Sequence, residues 1–279
     1  MIPAAFDYRS PRTLDEAVGL LAEHGEEAKV LAGGHSLIPA MKLRLAQPAM
    51  LVDLGRVADL AYVRTSGNGL AIGAMTTHHE LETAAAVAEH CPLLARVASQ
   101  IGDAQVRNKG TIGGSLVHAD PAGDWPAAIL ALEAELEIAG PNGRRTVAAA
   151  DFFVDMLETA VQPNEILCEI RVPETTSSVA YAKFAQKASG FALAGAAVVI
   201  DVAAQRVRVG ISGVAPMPYR ASGVEQALLG LKLGARAIAD AAAHAADGVD
   251  ALGDIHASAE FRCHLAQVQT QRALTEASS

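Results

Sequence analysis

The chain has 279 residues and 51% of them are hydrophobic, enough to bury a full core and to build more than one compact unit. A formal net charge of −9, with the basic pairs Lys42/Arg44, Arg107/Lys109 and Arg144/Arg145 dispersed along the chain, excludes nucleic acid and anionic membrane surfaces as partners, since both need a basic face. Three widely separated cysteines, Cys91, Cys168 and Cys263, with no C-x-x-C pair, exclude a disulfide framework and argue against a zinc or iron–sulfur site in this chain.

The N-terminus, MIPAAFDYRSP, lacks the basic start and apolar run of a secretory signal, so a cytoplasmic location is expected. Phe6 to Tyr8 reads as a short strand. Thr13 with Glu16 three positions on forms a capping box ahead of Ala17, Leu20 and Leu21 at helical spacing, and Gly25 can end that helix. The stretch AKVLAG reads as a buried strand, Ser36 to Leu43 as a short helix, and AMLVDL as the next strand. This is a βαβαβ unit, and residues 1–56 form a first subdomain. In the second, residues 57–175, NGLAIGAM is a strand running into the helix TTHHELE, and Thr83 to Ile101 is helical with an interruption near Pro92. A glycine-rich irregular segment then leads to Asp124, followed by a helix in WPAAILALEA. Pro141-Asn142-Gly143 turns a hairpin between AELEIAG and RRTVAAA. Pro163 and Pro173 bracket one more strand, EILCEIRV, and Pro173 to Ser178 reads as a linker. Residues 176–279 change texture: three consecutive strands from Val179 precede helices at Val224 to Leu231, Ala235 to Ala246 and Phe261 to Ala273. Strands followed by helices predict an α+β domain with a three-stranded antiparallel sheet. The longest apolar run, Phe191 to Ile200, falls far short of the roughly 20 residues that span a bilayer, so no membrane insertion is expected.

Two Gly-Gly pairs need a common explanation: Gly33-Gly34 in VLAGGHSLIPAMKLRL and Gly113-Gly114 in RNKGTIGGSLVHADPAGDWP. A glycine turn between strand and helix lets backbone amides approach a phosphate, and the helix N-terminus adds positive potential. Either pair alone reads more simply as a tight turn needing positive φ. Together they suit a dinucleotide diphosphate gripped from two sides. Neither carries G-x-G-x-x-G, and no G-K-[ST] occurs, so a Rossmann NAD site and a P-loop are poor fits. A different dinucleotide fold remains.

The segments AGGHSLIPAMKLRLAQPAMLVDL, IGAMTTHHELE, QVRNKGTIGGSLVHADPAGDWPA and EILCEIRVP together resemble the FAD-binding medium subunit of the molybdenum hydroxylases, the family of xanthine dehydrogenase and aerobic carbon monoxide dehydrogenase. The resemblance covers essentially the whole chain. It implies an α+β protein with a PCMH/VAO-like FAD-binding fold of two N-terminal α/β subdomains, followed by the C-terminal α+β domain. It also implies noncovalent FAD, with the diphosphate wrapped by Ala32, Gly33, Gly34, His35, Ser36 and Leu37 and held from the other side by Thr111, Ile112, Gly113, Gly114 and Ser115. Asp124 matches an acidic residue that contacts FAD, at a ribose hydroxyl, and Ile101, Leu167 and Lys183 align with further contact positions. Two departures stand out. Ser115 replaces the Asn of many relatives, and KASGFALAG lacks an acidic residue after its glycine, leaving Phe191 as either a ring-facing aromatic or core.

The resemblance further implies a flavin electron-transfer subunit without a catalytic residue of its own. Electrons from a molybdenum cofactor in a large molybdopterin subunit would reach the FAD through iron–sulfur clusters in a small subunit, and pass on to NAD, a quinone or oxygen. A dimer of such heterotrimers is the expected assembly. Two other readings compete: a self-contained FAD-dependent oxidoreductase, for which His78, His79 and His118 would supply the acid or base, and a scaffold subunit with a vestigial flavin site. His78 and His79 lack H-E-x-x-H spacing, so no metal site is expected and both read as solvent-facing helix-start residues. Trp125, the one tryptophan, reads as a core anchor beside Asp124.

Overall fold

The computed structural model describes residues 1–67, 69–175 and 178–279. The predicted linker therefore lies partly outside the described residues, at Thr176 and Ser177, as does Asn68 at the start of a predicted strand.

The first βαβαβ unit folds as read. Strands Asp7–Arg9, Met50–Asp53 and Ala28–Leu31 form a parallel sheet with Met50–Asp53 in the middle, so that Asp7 and Ala28 both lie opposite Met50. Helix Leu14–His24 crosses over and buries Ala17, Val18 and Leu21. The Thr13 hydroxyl accepts from the Glu16 amide at 3.2 Å, but the Glu16 carboxylate returns to the Arg12 amide at 2.9 Å, so the capping box closes one residue early. Gly25 ends the helix at φ 52°.

The second unit is a five-stranded antiparallel sheet in the order Val63–Ser66, Gly69–Gly73, Ile166–Pro173, Glu135–Gly140, Gly143–Ala148. The central strand serves two cores because a bulge between Leu167 and Glu169 switches which face its even-numbered residues present. Ile166 and Cys168 pack with the first unit, while Leu167, Ile170 and Val172 pack beneath helices that carry Leu81, Leu94, Leu116 and Trp125. The segment predicted as irregular contains two helices, Ala104–Arg107 and Ile112–His118. Two glycines in a first turn erase the propensity signal of a helix. Thr111 restores it locally by capping the Gly114 amide at 3.1 Å.

The three antiparallel strands expected in the last unit are present as Val179–Ala185, Ala192–Asp201 and Arg206–Ser212, and a two-residue strand, Tyr219–Arg220, extends the sheet to four. So short a strand carries no periodic signal. Along Ala192–Asp201 the residues Ala194, Ala196, Val198 and Ile200 face helix Ala259–Ala277, whereas Ala197 and Val199 join the core of the second unit. Both faces are covered, which is why this strand is the longest apolar run in the chain. On its neighbour, a side chain at Gly210 would collide with the backbone of Ala127, so helix Trp125–Ala131 lies directly against this sheet.

Candidate cofactor site

The first glycine loop leaves the end of strand Ala28–Leu31, where open parallel sheets bind ligands. It meets the second loop face to face. A Cβ on Gly33 would collide with the carbonyl of Lys109 and lie 2.7 Å from the Gly110 Cα, and a Cβ on Gly114 would lie 3.2 Å from that of Ala32. Each glycine has its own reason. Gly33 permits loop to meet loop, Gly34 sits at φ 77° where an L side chain is strained, and Gly113 fits against Ala74, whose oxygen would be 2.6 Å from an added Cβ.

The two loops differ in what they offer a ligand. Among the described residues, the amides of Gly33, Gly34, His35 and Ser36 donate to no protein acceptor. In the second loop the amides are engaged: Ile112 donates to the Thr76 carbonyl, Gly113 to the Ala74 carbonyl, Gly114 to the Thr111 hydroxyl and Ser115 to the Thr111 carbonyl. The first loop thus carries the free donors, and the second, its amides engaged, is the backbone against which Gly33 packs. Helix Leu37–Lys42 is only six residues long, so the loop amides rather than a long helix dipole set the local potential.

Asp124 is buried at the start of helix Trp125–Ala131 and is held from the C-terminal sheet. The Tyr181 hydroxyl donates to its Oδ1 at 2.5 Å and Lys183 Nζ lies 2.9 Å from the same oxygen. Lys183, its side chain 4% exposed, also donates to the carbonyls of Gln100 at 2.6 Å and Gly190 at 2.9 Å. Burial pushes the Asp124 carboxyl above its usual range, against the pull of the Lys183 charge and the Tyr181 hydroxyl. Ile101, next to Gln100, is half-buried against the core, and Leu167 belongs to the core itself. Phe191 is 51% exposed, which removes the core reading for it. Tyr181 gave no functional signal in sequence, because its partner Asp124 lies 57 residues away.

His78 corrects an expectation. His79 faces solvent, but His78 is only 4% exposed. Its Nδ1 accepts from Trp125 Nε1 at 3.0 Å, and a Cβ on Gly110 would lie 2.7 Å from its Nε2. Thr77 and Glu80 close a full capping box on the helix His78–Thr83, and the His78 amide donates to the Gly110 carbonyl at 3.0 Å, so backbone and ring are both fixed under the second loop. Burial, reinforced by the charges of His35 and Arg107, lowers its pKa to about 4. In the unfolded chain an ordinary histidine binds its proton near pH 6.5. The folded chain therefore loses stability as pH falls from 6.5 through 4, by about 3 kcal/mol from this residue. Urea unfolding at pH 7 and pH 4 checks this, and His78→Phe should flatten the slope; an equal slope in both proteins refutes the assignment.

Residues 4–175 match the family described as the FAD binding domain in molybdopterin dehydrogenase, and residues 179–277 match the CO dehydrogenase flavoprotein C-terminal domain. This chain belongs to the FAD-binding molybdopterin dehydrogenase family. Within that family it is 41% identical to the carbon monoxide dehydrogenase medium chain of Hydrogenophaga pseudoflava, over 99% of this chain and 98% of the relative. It is 37% identical to the nicotine 6-hydroxylase medium subunit of Paenarthrobacter nicotinovorans, over 98% and 97% of the two chains. Its fold matches the solved structure of reconstituted CO dehydrogenase from Oligotropha carboxidovorans with a TM-score of 0.96 at 39% identity, covering 100% of this chain and 99% of that one. The paired loops fit the family's FAD, since four consecutive amides without a protein acceptor lie on a glycine loop that packs backbone to backbone on the second.

Proposed function

We propose that this chain is the FAD-carrying electron-transfer subunit of a cytoplasmic, heteromeric molybdenum hydroxylase. It accepts electrons from an iron–sulfur subunit served by a large molybdopterin subunit, and passes them to NAD, a quinone or oxygen. The observation that carries this reading is the packing of the Gly33–Ser36 loop, whose amides have no protein acceptor, on the Lys109–Ser115 loop, inside a chain that matches medium subunits from end to end.

The amides of Gly33 to Ser36 would bind the FAD diphosphate. The Thr111–Ser115 turn would bound it, with the Ser115 hydroxyl free to donate. Asp124, through the oxygen that Lys183 and Tyr181 leave free, would accept from a ribose hydroxyl. The isoalloxazine supplies the electron-carrying chemistry, and the protein's share is binding, orientation and exclusion of water. No nucleophile or general base is required. His78, the buried candidate for such a role, has Nδ1 committed to Trp125, which favours the electron-transfer subunit over a self-contained oxidoreductase.

A visible spectrum of the chain purified from its native host, before and after acid precipitation, tests the reading. Flavin released as FAD, with a small iron–sulfur chain and a large molybdenum-containing chain co-purifying, is the expected result. A lone flavin-bearing chain would overturn the heteromeric assignment, and a colourless chain that refuses added FAD would overturn the cofactor.

A further inference from the structure

Arg262, in the first turn of helix Ala259–Ala277, is only 4% exposed. Its Nη2 donates to Asp254 at 2.7 Å, but its Nη1 goes to two backbone carbonyls, that of Leu193 at 3.1 Å and that of Gly213. These residues sit side by side where strand Ala192–Asp201 begins and strand Arg206–Ser212 has just ended. A Cβ on Gly213, which holds φ 85°, would lie 2.9 Å from the Leu193 carbonyl carbon. A buried ion pair adds little net stability over an apolar replacement, and its best-attested use is to fix one geometry.

The same strand ends carry a loop of the FAD-binding unit. Gly213, whose carbonyl accepts from Arg262, donates its amide to the Pro121 carbonyl at 2.7 Å; Ala192, next to Leu193, donates its amide to the Ala122 carbonyl at 3.2 Å. The loop is itself a tight turn, since the Asp120 carboxylate accepts from the Ala122 amide at 2.8 Å and the Asp120 carbonyl from the Gly123 amide at 2.9 Å. Asp124 follows at once. It stands at the N-cap of helix Trp125–Ala131 but caps no amide, its carboxylate being turned to Tyr181 and Lys183 instead. The C-terminal sheet thus holds Asp124 twice, by its side chain and by the backbone just before it.

We propose that Arg262 is a positioning residue for FAD: by clamping the Leu193 and Gly213 carbonyls it fixes the strand ends on which Pro121 and Ala122 dock, and through them the Asp124 carboxylate. The proposal rests on the FAD-binding reading above, with Asp124 as a cofactor contact. Arg262 touches no cofactor itself. Its effect on FAD must therefore pass through Asp124, and by linkage bound FAD must tighten the dock in return.

The test is a double-mutant cycle on FAD affinity in the full chain, with Arg262→Met, which keeps the apolar stem and removes the donors, Asp124→Asn, and the two together. Each single variant should weaken FAD by about tenfold, the loss expected for a hydrogen bond to a charged group. In the Asp124→Asn background, Arg262→Met should cost less than about threefold more, because the contact it positions is already gone. On the wild-type chain, amide hydrogen exchange at Ala192 and Gly213 should slow when FAD is added, while Ile200 at the far end of the same strand, whose amide donates to the Ser178 carbonyl, should change little. That readout needs no variant to fold. Wild-type affinity in a folded Arg262→Met chain, losses that multiply in the double variant, or exchange that slows equally at all three amides would each overturn the proposal, the last two by showing a general effect on stability only. An Asp124→Asn chain with wild-type affinity would overturn the Asp124 contact and the proposal with it. A wild-type chain that binds no FAD would overturn the cofactor reading itself, which keeps the failures distinct.

Discussion

Replacing Lys183 by Met lowers the stability of the chain by about 3–5 kcal/mol at neutral pH, the cost of leaving one member of a buried ion pair unpaired. Both side chains of the pair are nearly inaccessible, 4% and 6% exposed, and the Lys183 ammonium also satisfies the carbonyls of Gln100 and Gly190. Removing it leaves a buried carboxylate with no opposite charge and Tyr181 as its one remaining side-chain donor among the described residues. The double variant Lys183→Met/Asp124→Asn should recover a substantial part of the loss, since Tyr181 can still donate to the Asn oxygen and no buried charge remains. Denaturant unfolding of the four proteins measures this directly. A cost below about 1 kcal/mol for the single variant would show the pair to be solvated and worth no more than a surface bridge. Because Lys183 lies on a strand of the C-terminal sheet and Asp124 at the head of a helix in the FAD-binding unit, the same experiment measures how firmly the C-terminal unit is tied to that unit.

Gly33→Ala should lower FAD affinity by about a hundredfold or more, from the loss of two or so charge-assisted hydrogen bonds as the loop is forced off the second loop. The new methyl group would meet only backbone, the carbonyl of Lys109 and the Cα of Gly110, so no side chain can swing aside to admit it. The fold itself should survive, because the loop crosses the surface between two independently packed cores. Gly19→Ala is the matching control. It sits in a helix with nothing within 4 Å of the added Cβ, and should leave FAD affinity unchanged while slightly raising stability. Isothermal titration with FAD separates the two, and wild-type affinity in Gly33→Ala would remove the paired loops as the binding site.

By itself the sequence determined the parts of this protein that are local or repetitive. Thr13 capping its helix, Gly25 ending it, the hairpin at Pro141-Asn142-Gly143 and the alternating strands are all set by near neighbours, and they appear where periodicity and turn chemistry put them. The two glycine motifs, with their flanks, were also sufficient to identify the family. Helix Ile112–His118 escaped because two glycines hide its propensity, and its formation depends on burial against Ala74. The tertiary structure alone decided what the glycines are for. Gly33 faces a carbonyl 76 positions away in sequence, Gly34 holds a left-handed turn, and the second pair lies in the loop on which the first packs. It likewise joined Asp124 to Tyr181 and Lys183, and His78 to Trp125. Such pairs leave no periodic trace, because their partners are brought together by the packing of separate sheets and helices. Packing also settles which polar groups are satisfied within the chain and which, like the Gly33–Ser36 amides, have no acceptor among the described residues.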